Sequence, residues 1–302
     1  MIGEAFRALL PNSWHQSHPV VPVIRMIGPI GLPPSPFRQS LSMAQLAGPL
    51  EAAFKLKRAN AVALVINSPG GSPVQSTLIF KRIRALADEH DKTVHVFIED
   101  VGASGGYLIA LAGDEIIVDP SSVVGSIGVI SAGFGFDRAI DKLGIDRRVY
   151  TAGDRKLALD PFQPEKTEDV RRIKALQKDI HETFIDLVKS RRADRLDGTD
   201  KQLFSGEFWS GRKAIELGLA DKIGDMRSHL RETYGEKVRL LPVPVGRRGL
   251  FGRRSVSTGM PQAGWADAPQ MAEGFGAKAG YGAAMGAVAA AEERALWARY
   301  GM

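Results

Sequence analysis

The chain has 302 residues, 44% of them apolar and 25% charged, with a formal net charge of +6. These proportions describe a globular protein of one large domain or two small ones. There is no cysteine, which excludes disulfides, thiolate metal sites and a cysteine nucleophile. The excess positive charge gathers at Arg247, Arg248, Arg253 and Arg254 with no aromatic interleaving, so no nucleic acid is expected as a partner.

Taken in order, Ile2, Ala5, Phe6, Leu9 and Leu10 fall at helical spacing, but Pro11 cuts the run far short of a membrane span. No signal peptide or transmembrane helix is expected. The expected location is cytoplasmic, with at most a peripheral contact at the inner membrane. Residues 20–27 read as a strand, with Pro22 placing it near an edge, and 29–40 as a Pro-rich loop. Residues 44–58 carry apolar positions at helical spacing and a basic C-terminal end. Residues 61–66 form a continuous apolar run, short enough for a buried parallel strand. That run empties into Asn67-Ser68-Pro69-Gly70-Gly71-Ser72, followed by a helical pattern over 74–89.

A second apolar strand, 94–98, leads to Gly102-Ala103-Ser104-Gly105-Gly106 and then to a small-residue, helix-like segment. Short strands are expected at 115–118, 125–130 and 147–150. Residues 165–190 make a long amphipathic helix, with Val170, Ile173, Leu176, Ile180, Phe184 and Leu187 on one face. A further helix covers 210–219, and 238–245 is the last strand. This alternation predicts an α/β fold with a largely parallel sheet and flanking helices. Both Gly-rich turns follow the carboxyl ends of strands, where open α/β sheets place their sites. The division expected is an N-terminal arm (1–19), one α/β domain (20–245) and a Gly/Ala/Arg-rich tail (246–302) ending in a helix over 283–300. The tail is expected to be flexible and to serve either as an inert linker or as a substrate or plug for the site.

A serine at a strand-to-helix turn exposes its hydroxyl beside backbone amides that welcome negative charge. Such a hydroxyl needs a neighbouring base. His90, His95, His181 and His229 all read as solvated or structural histidines. Lys156 stands in a charged loop with an apolar flank, Leu157-Ala158-Leu159, where a lysine could be desolvated. By local chemistry alone each of these is open, and Ser126 reads as a turn serine.

The ordered set Val65-Ile66-Asn67-Ser68-Pro69-Gly70-Gly71, Gly102-Ala103-Ser104-Gly105-Gly106-Tyr107, Gly125-Ser126-Ile127-Gly128-Val129, Arg155-Lys156 and the run from Phe208 through Trp209 to Asp221 resembles the signal peptide peptidase A family of serine proteases, S49 type, in its short form. The resemblance covers roughly residues 20–240. It implies a ClpP/crotonase-like fold and a Ser/Lys dyad, with Ser104 as nucleophile, Lys156 as general base and Ser126 orienting the lysine. It further implies an oxyanion and substrate-binding set of Gly70, Gly71 and Gly105, peptide substrates such as signal-peptide remnants, and a ring-like homo-oligomer. No metal or organic cofactor is called for. Two alternatives stand beside it: a non-proteolytic crotonase-like or scaffold protein, and an α/β-hydrolase esterase using the G-x-S-x-G turn.

Overall fold

The computed structural model describes residues 18–32, 40–153, 155–245, 294–295 and 297–300. The expected N-terminal arm and most of the expected tail therefore lie outside the described residues. Among the described residues, eight strands form one sheet: β1 (Val20–Ile27), β2 (Ala61–Ser68), β3 (Thr93–Ala103), β4 (Glu115–Val118), β5 (Val123–Gly125), β6 (Phe208–Ser210), β7 (Lys222–Ile223) and β8 (Arg239–Val243). The main path runs β6-β5-β3-β2-β1-β8, with β4 pairing β3 and β7. Every pairing is parallel except β5 with β6.

Parallel strands need crossovers, and the helices supply them. They are α1 (Met43–Phe54), α2 (Pro73–His90), α3 (Gly105–Ala110), α4 (Asp137–Lys142), α5 (Thr167–Arg192), α6 (Asp200–Leu203), α7 (Gly211–Glu216) and α8 (Met226–Tyr234). The Oγ atoms of Ser42 and Ser72 accept backbone N–H bonds from Gln45 and Gln75, and so start α1 and α2.

Strand periodicity sorts the core onto two faces. Val62, Leu64, Ile66, Val94, Val96 and Ile98 bury on the face covered by α1, α2, α3 and part of α5. The alternate residues Val21, Val23, Ala63, Val65, Phe97 and Ile117 bury on the other face, against Leu230 of α8. Tyr107 is fully buried on the first face and donates its hydroxyl to the Leu219 carbonyl at 2.8 Å. Burial pushes its phenol well above the ordinary tyrosine range.

Several expected elements differ in extent or type, among them the strand expected over 94–98, which runs on to Ala103. The helix expected over 44–58 ends at Phe54, capped by Lys55. The strand expected over 125–130 occupies Val123–Gly125 instead, because Ser126 adopts φ +53°, which no strand continues through. Residues 147–150 form no strand. They belong to an exposed stretch whose sheet partners are absent among the described residues.

Candidate active site

Strand β3 delivers Ser104 to the carboxyl end of the sheet. Its backbone there is unusual for a non-glycine residue, φ +52° and ψ −123°, at the junction with α3. A Ser104 N–H bond to the Gly125 carbonyl at 2.7 Å fixes the turn and sets Ser126, the next residue, beside it. Backbone strain of this kind costs on the order of 1–3 kcal/mol and persists only where the surroundings impose it.

The surroundings here are glycines packed backbone to backbone. A Cβ built on Gly70 would lie 2.8 Å from both Ser104 Cβ and the Gly105 nitrogen. One on Gly71 would strike the Ile30 carbonyl oxygen, and one on Gly105 would come within 3.3 Å of the Gly71 nitrogen. The loop Gly70–Gly71 is pinned by Ile30 N–H to Gly70 O and Ser72 N–H to Ile30 O, both 2.8 Å. The Gly71 and Gly105 amides thus lie close together beside Ser104, and neither donates to a backbone acceptor among the described residues.

Next to Ser104 opens a cavity of about 670 Å³. Its wall is mostly apolar, with Val74, Leu78, Leu108, Val129, Phe184 and Leu187 among the lining residues. Expected separately in the sequence, Ser104, Ser126, Gly70, Gly71 and Gly105 are thus brought to one place.

Lys156 is not brought there within one chain. It is exposed, and no hydrogen bond joins it to Ser104 or Ser126 among the described residues. It sits in a stretch that leaves Ile130, Phe134, Leu143, Ile145 and Tyr150 exposed, with Tyr150 91% accessible. Ser126 is buried, and the oxygen facing its Oγ is the Tyr300 hydroxyl at 3.2 Å. Tyr300 and Trp297 pack on Val101, Ala103 and Val123, and the Tyr300 ring meets Phe208 edge-on. No local pattern in the sequence pointed to Tyr300, which lies 174 residues beyond Ser126.

The later motif also acquires a structural meaning. Arg192, at the end of α5 and 2% accessible, holds Asp221 with two bonds of 2.9 Å and also donates to the Gly218 carbonyl. Burial alone would raise the Asp221 carboxyl. The Arg192 bonds and charge, the Ile116 amide and the Arg195 charge outweigh it and hold the group below the usual aspartate range. His181, half-buried, has Nε2 3.0 Å from the Ile127 carbonyl, a structural contact in keeping with its reading.

A serine held at a strained strand–helix turn, with clustered glycine amides and an apolar groove on a mostly parallel α/β sheet, defines a serine-hydrolase class of site. Comparison with known proteins narrows the class. A model described as peptidase family S49 matches residues 87–237, and one described as ClpP-like SDH-type serine proteinase matches residues 36–133. The chain belongs to peptidase family S49, and with it to the serine proteases.

Among similar proteins, the Na(+)/H(+) antiporter NhaA of Brucella abortus is 54% identical over 296 residues, 98% of this chain and 39% of that protein. An Enterococcus faecium protein named as a signal peptide peptidase SppA is 31% identical, over 60% of this chain and 52% of its own. Serine protease SPPA, chloroplastic, of Arabidopsis thaliana is 28% identical, over 68% of this chain and 29% of its own length. The chain therefore spans about a third to a half of the length of these relatives. No helix among the described residues is long and apolar enough to cross a membrane.

Proposed function

We propose that the protein is an endopeptidase that cleaves extended apolar peptides, signal-peptide remnants among them, through an acyl-enzyme on Ser104. The observation that carries the reading is the strained Ser104 set between the Gly71 and Gly105 amides and the apolar cavity. A peptide segment lies along the groove with an apolar side chain in the cavity. Ser104 Oγ attacks the scissile carbonyl, and its proton passes to the neutral amine of Lys156. The developing oxyanion receives the N–H groups of Gly71 and Gly105, which are held in place before the reaction begins. The lysine then protonates the leaving amine, and water, deprotonated by the same lysine, hydrolyses the ester.

Lys156 reaches Ser104 from a second copy of the chain. The exposed Ile130, Phe134, Leu143 and Tyr150 around it are an apolar surface of the kind that subunit contacts cover, which supports a ring-like homo-oligomer. Ser126 Oγ, buried beside Ser104, then positions the incoming amine. Labelling by a fluorophosphonate probe tests the nucleophile: one label per chain is expected on wild type and none on Ser104→Ala. Labelling that persists in Ser104→Ala overturns the assignment.

A further inference from the structure

On the sheet face away from the α1–α3 layer, two histidines and one glutamate from three separate elements converge. His95 of β3 and Glu115 of β4 are register partners, and the strand period points both side chains to the face that buries Phe97 and Ile117. The residue opposite His95 on β2 is Ala63, whose small side chain leaves room beside the imidazole. Helix α8 crosses above, started by Asp225, whose carboxylate accepts the Arg227 and Ser228 N–H groups, and anchored by the buried Leu230. That places His229 directly over the pair.

Three atoms face one point. His229 Nε2 lies 3.0 Å from Glu115 Oε2, His95 Nδ1 lies 3.3 Å from the same oxygen, and the two imidazole nitrogens are 3.3 Å apart. A tetrahedral zinc ion with bonds of about 2.0–2.1 Å sets its ligand atoms roughly 3.3 Å from one another. We propose that His95, Glu115 and His229 bind one late first-row divalent cation, zinc under cellular conditions, as a structural clamp between α8 and the sheet. The donor set has nitrogen and oxygen but no thiolate, which suits zinc, nickel or cobalt and disfavours calcium and magnesium.

The outer contacts fit ligands rather than a solvated cluster. His95 Nε2 is 2.8 Å from the Tyr234 hydroxyl, and a proton held there leaves the Nδ1 lone pair directed inward. Lys222 Nζ is 2.6 Å from Glu115 Oε1, so the carboxylate offers Oε2 alone. Both imidazoles are more than nine-tenths buried, whereas Glu115 is partly exposed. Its open side is the route of entry and leaves the fourth coordination position to water. His95 is the third residue of β3 and Ser104 follows its last, so the cation sits at the opposite end of the strand from Ser104 and takes no part in peptide cleavage.

The competing arrangement is a network in which a proton, not a metal, joins the three groups. Tag-free full-length protein, stripped with chelator and then titrated with zinc, separates the two. One zinc per chain retained through gel filtration, a raised melting temperature, and an intense visible spectrum with cobalt(II) in its place are expected. His229→Ala and Glu115→Gln each lose stoichiometric retention while keeping peptide turnover, which reports that the chain is folded. Tyr234→Phe keeps the stoichiometry and weakens zinc binding about 10- to 100-fold, through loss of the outer contact. Wild type that retains no zinc leaves the proton network alone and overturns the proposal. Zinc retention undiminished in both His229→Ala and Glu115→Gln overturns it equally, by moving the metal elsewhere.

Discussion

The Tyr300 hydroxyl lies 3.2 Å from Ser126 Oγ and 3.4 Å from the Pro69 carbonyl, within reach of both. Ser126 is the residue proposed to orient the lysine, and its Oγ is the atom that Tyr300 already contacts. Under the proposed mechanism, the Tyr300 hydroxyl and the amine of Lys156 compete for that one oxygen. Removing the hydroxyl in Tyr300→Phe deletes a bond of about 0.5–1.5 kcal/mol, about a 2- to 10-fold shift toward the open site. Peptide turnover should rise by that factor, and further in Tyr300→Ala, which also removes the packing on Val101 and Ala103. Unchanged steady-state turnover in both variants would remove Tyr300 from any role at the site.

The glycine packing makes a sharper demand. Gly70 has φ +100°, and a methyl group there would press on Ser104 Cβ and the Gly105 nitrogen at 2.8 Å. Overpacking of this kind costs about 1–3 kcal/mol, and a displacement of about 1 Å in a reacting group can cost on the order of 100-fold in rate. Gly70→Ala should therefore keep a cooperative unfolding transition, slightly lowered, while losing peptide turnover by about that factor. Turnover within twofold of wild type would mean that the nucleophile is not positioned by this contact.

Lys156 invites a mixing experiment. If the base comes from a second copy, Ser104→Ala and Lys156→Ala chains, each inactive alone, should recover turnover when dissociated and reassembled together. Lys156→Arg should be as inactive as Lys156→Ala, because a guanidinium stays protonated and cannot accept the serine proton. No recovery on mixing places the lysine in the same chain as its serine. An active arginine variant takes the lysine out of the mechanism.

Sequence reading reached those parts of the molecule that rest on local patterns. The apolar run at 61–66 sits within β2, and Ser104 and Gly105 of the Gly102–Gly106 turn line the cavity, because buried parallel strands and tight turns leave their mark on consecutive residues. The 125–130 strand was misplaced, since apolar Ile127, Val129 and Ile130 follow a serine whose positive φ has no signature in sequence. The His95–Glu115–His229 cluster was illegible. Its members lie on two strands and a helix, and only sheet register and the placement of α8 make them neighbours. Tyr300 was hidden for the same reason, being joined to Ser126 by tertiary packing alone.

The Arg192–Asp221 pair yields the last prediction. Arg192 is almost wholly buried, and both oxygens of Asp221 are taken by its guanidinium, with Ile116 N–H and Arg195 adding further bonds. Burial would raise this carboxyl, but the paired guanidinium and the amide hold it below the ordinary value. A carboxyl that binds its proton less readily when folded stabilises the fold fully above its unfolded pKa of about 3.9. That stabilisation drains away as pH falls from there through the folded value. Removing one partner of a buried pair leaves the other uncompensated and costs about 3–5 kcal/mol. Asp221→Asn should therefore lower the unfolding free energy from urea titration at neutral pH by an amount of that order, and its stability should fall less than that of wild type below about pH 4. Equilibrium unfolding of both proteins across that range checks the two halves separately. A variant as stable as wild type at pH 7 would show that the pair does not hold α5 to β4 and β7, and parallel acid limbs would assign the acid sensitivity to other carboxylates.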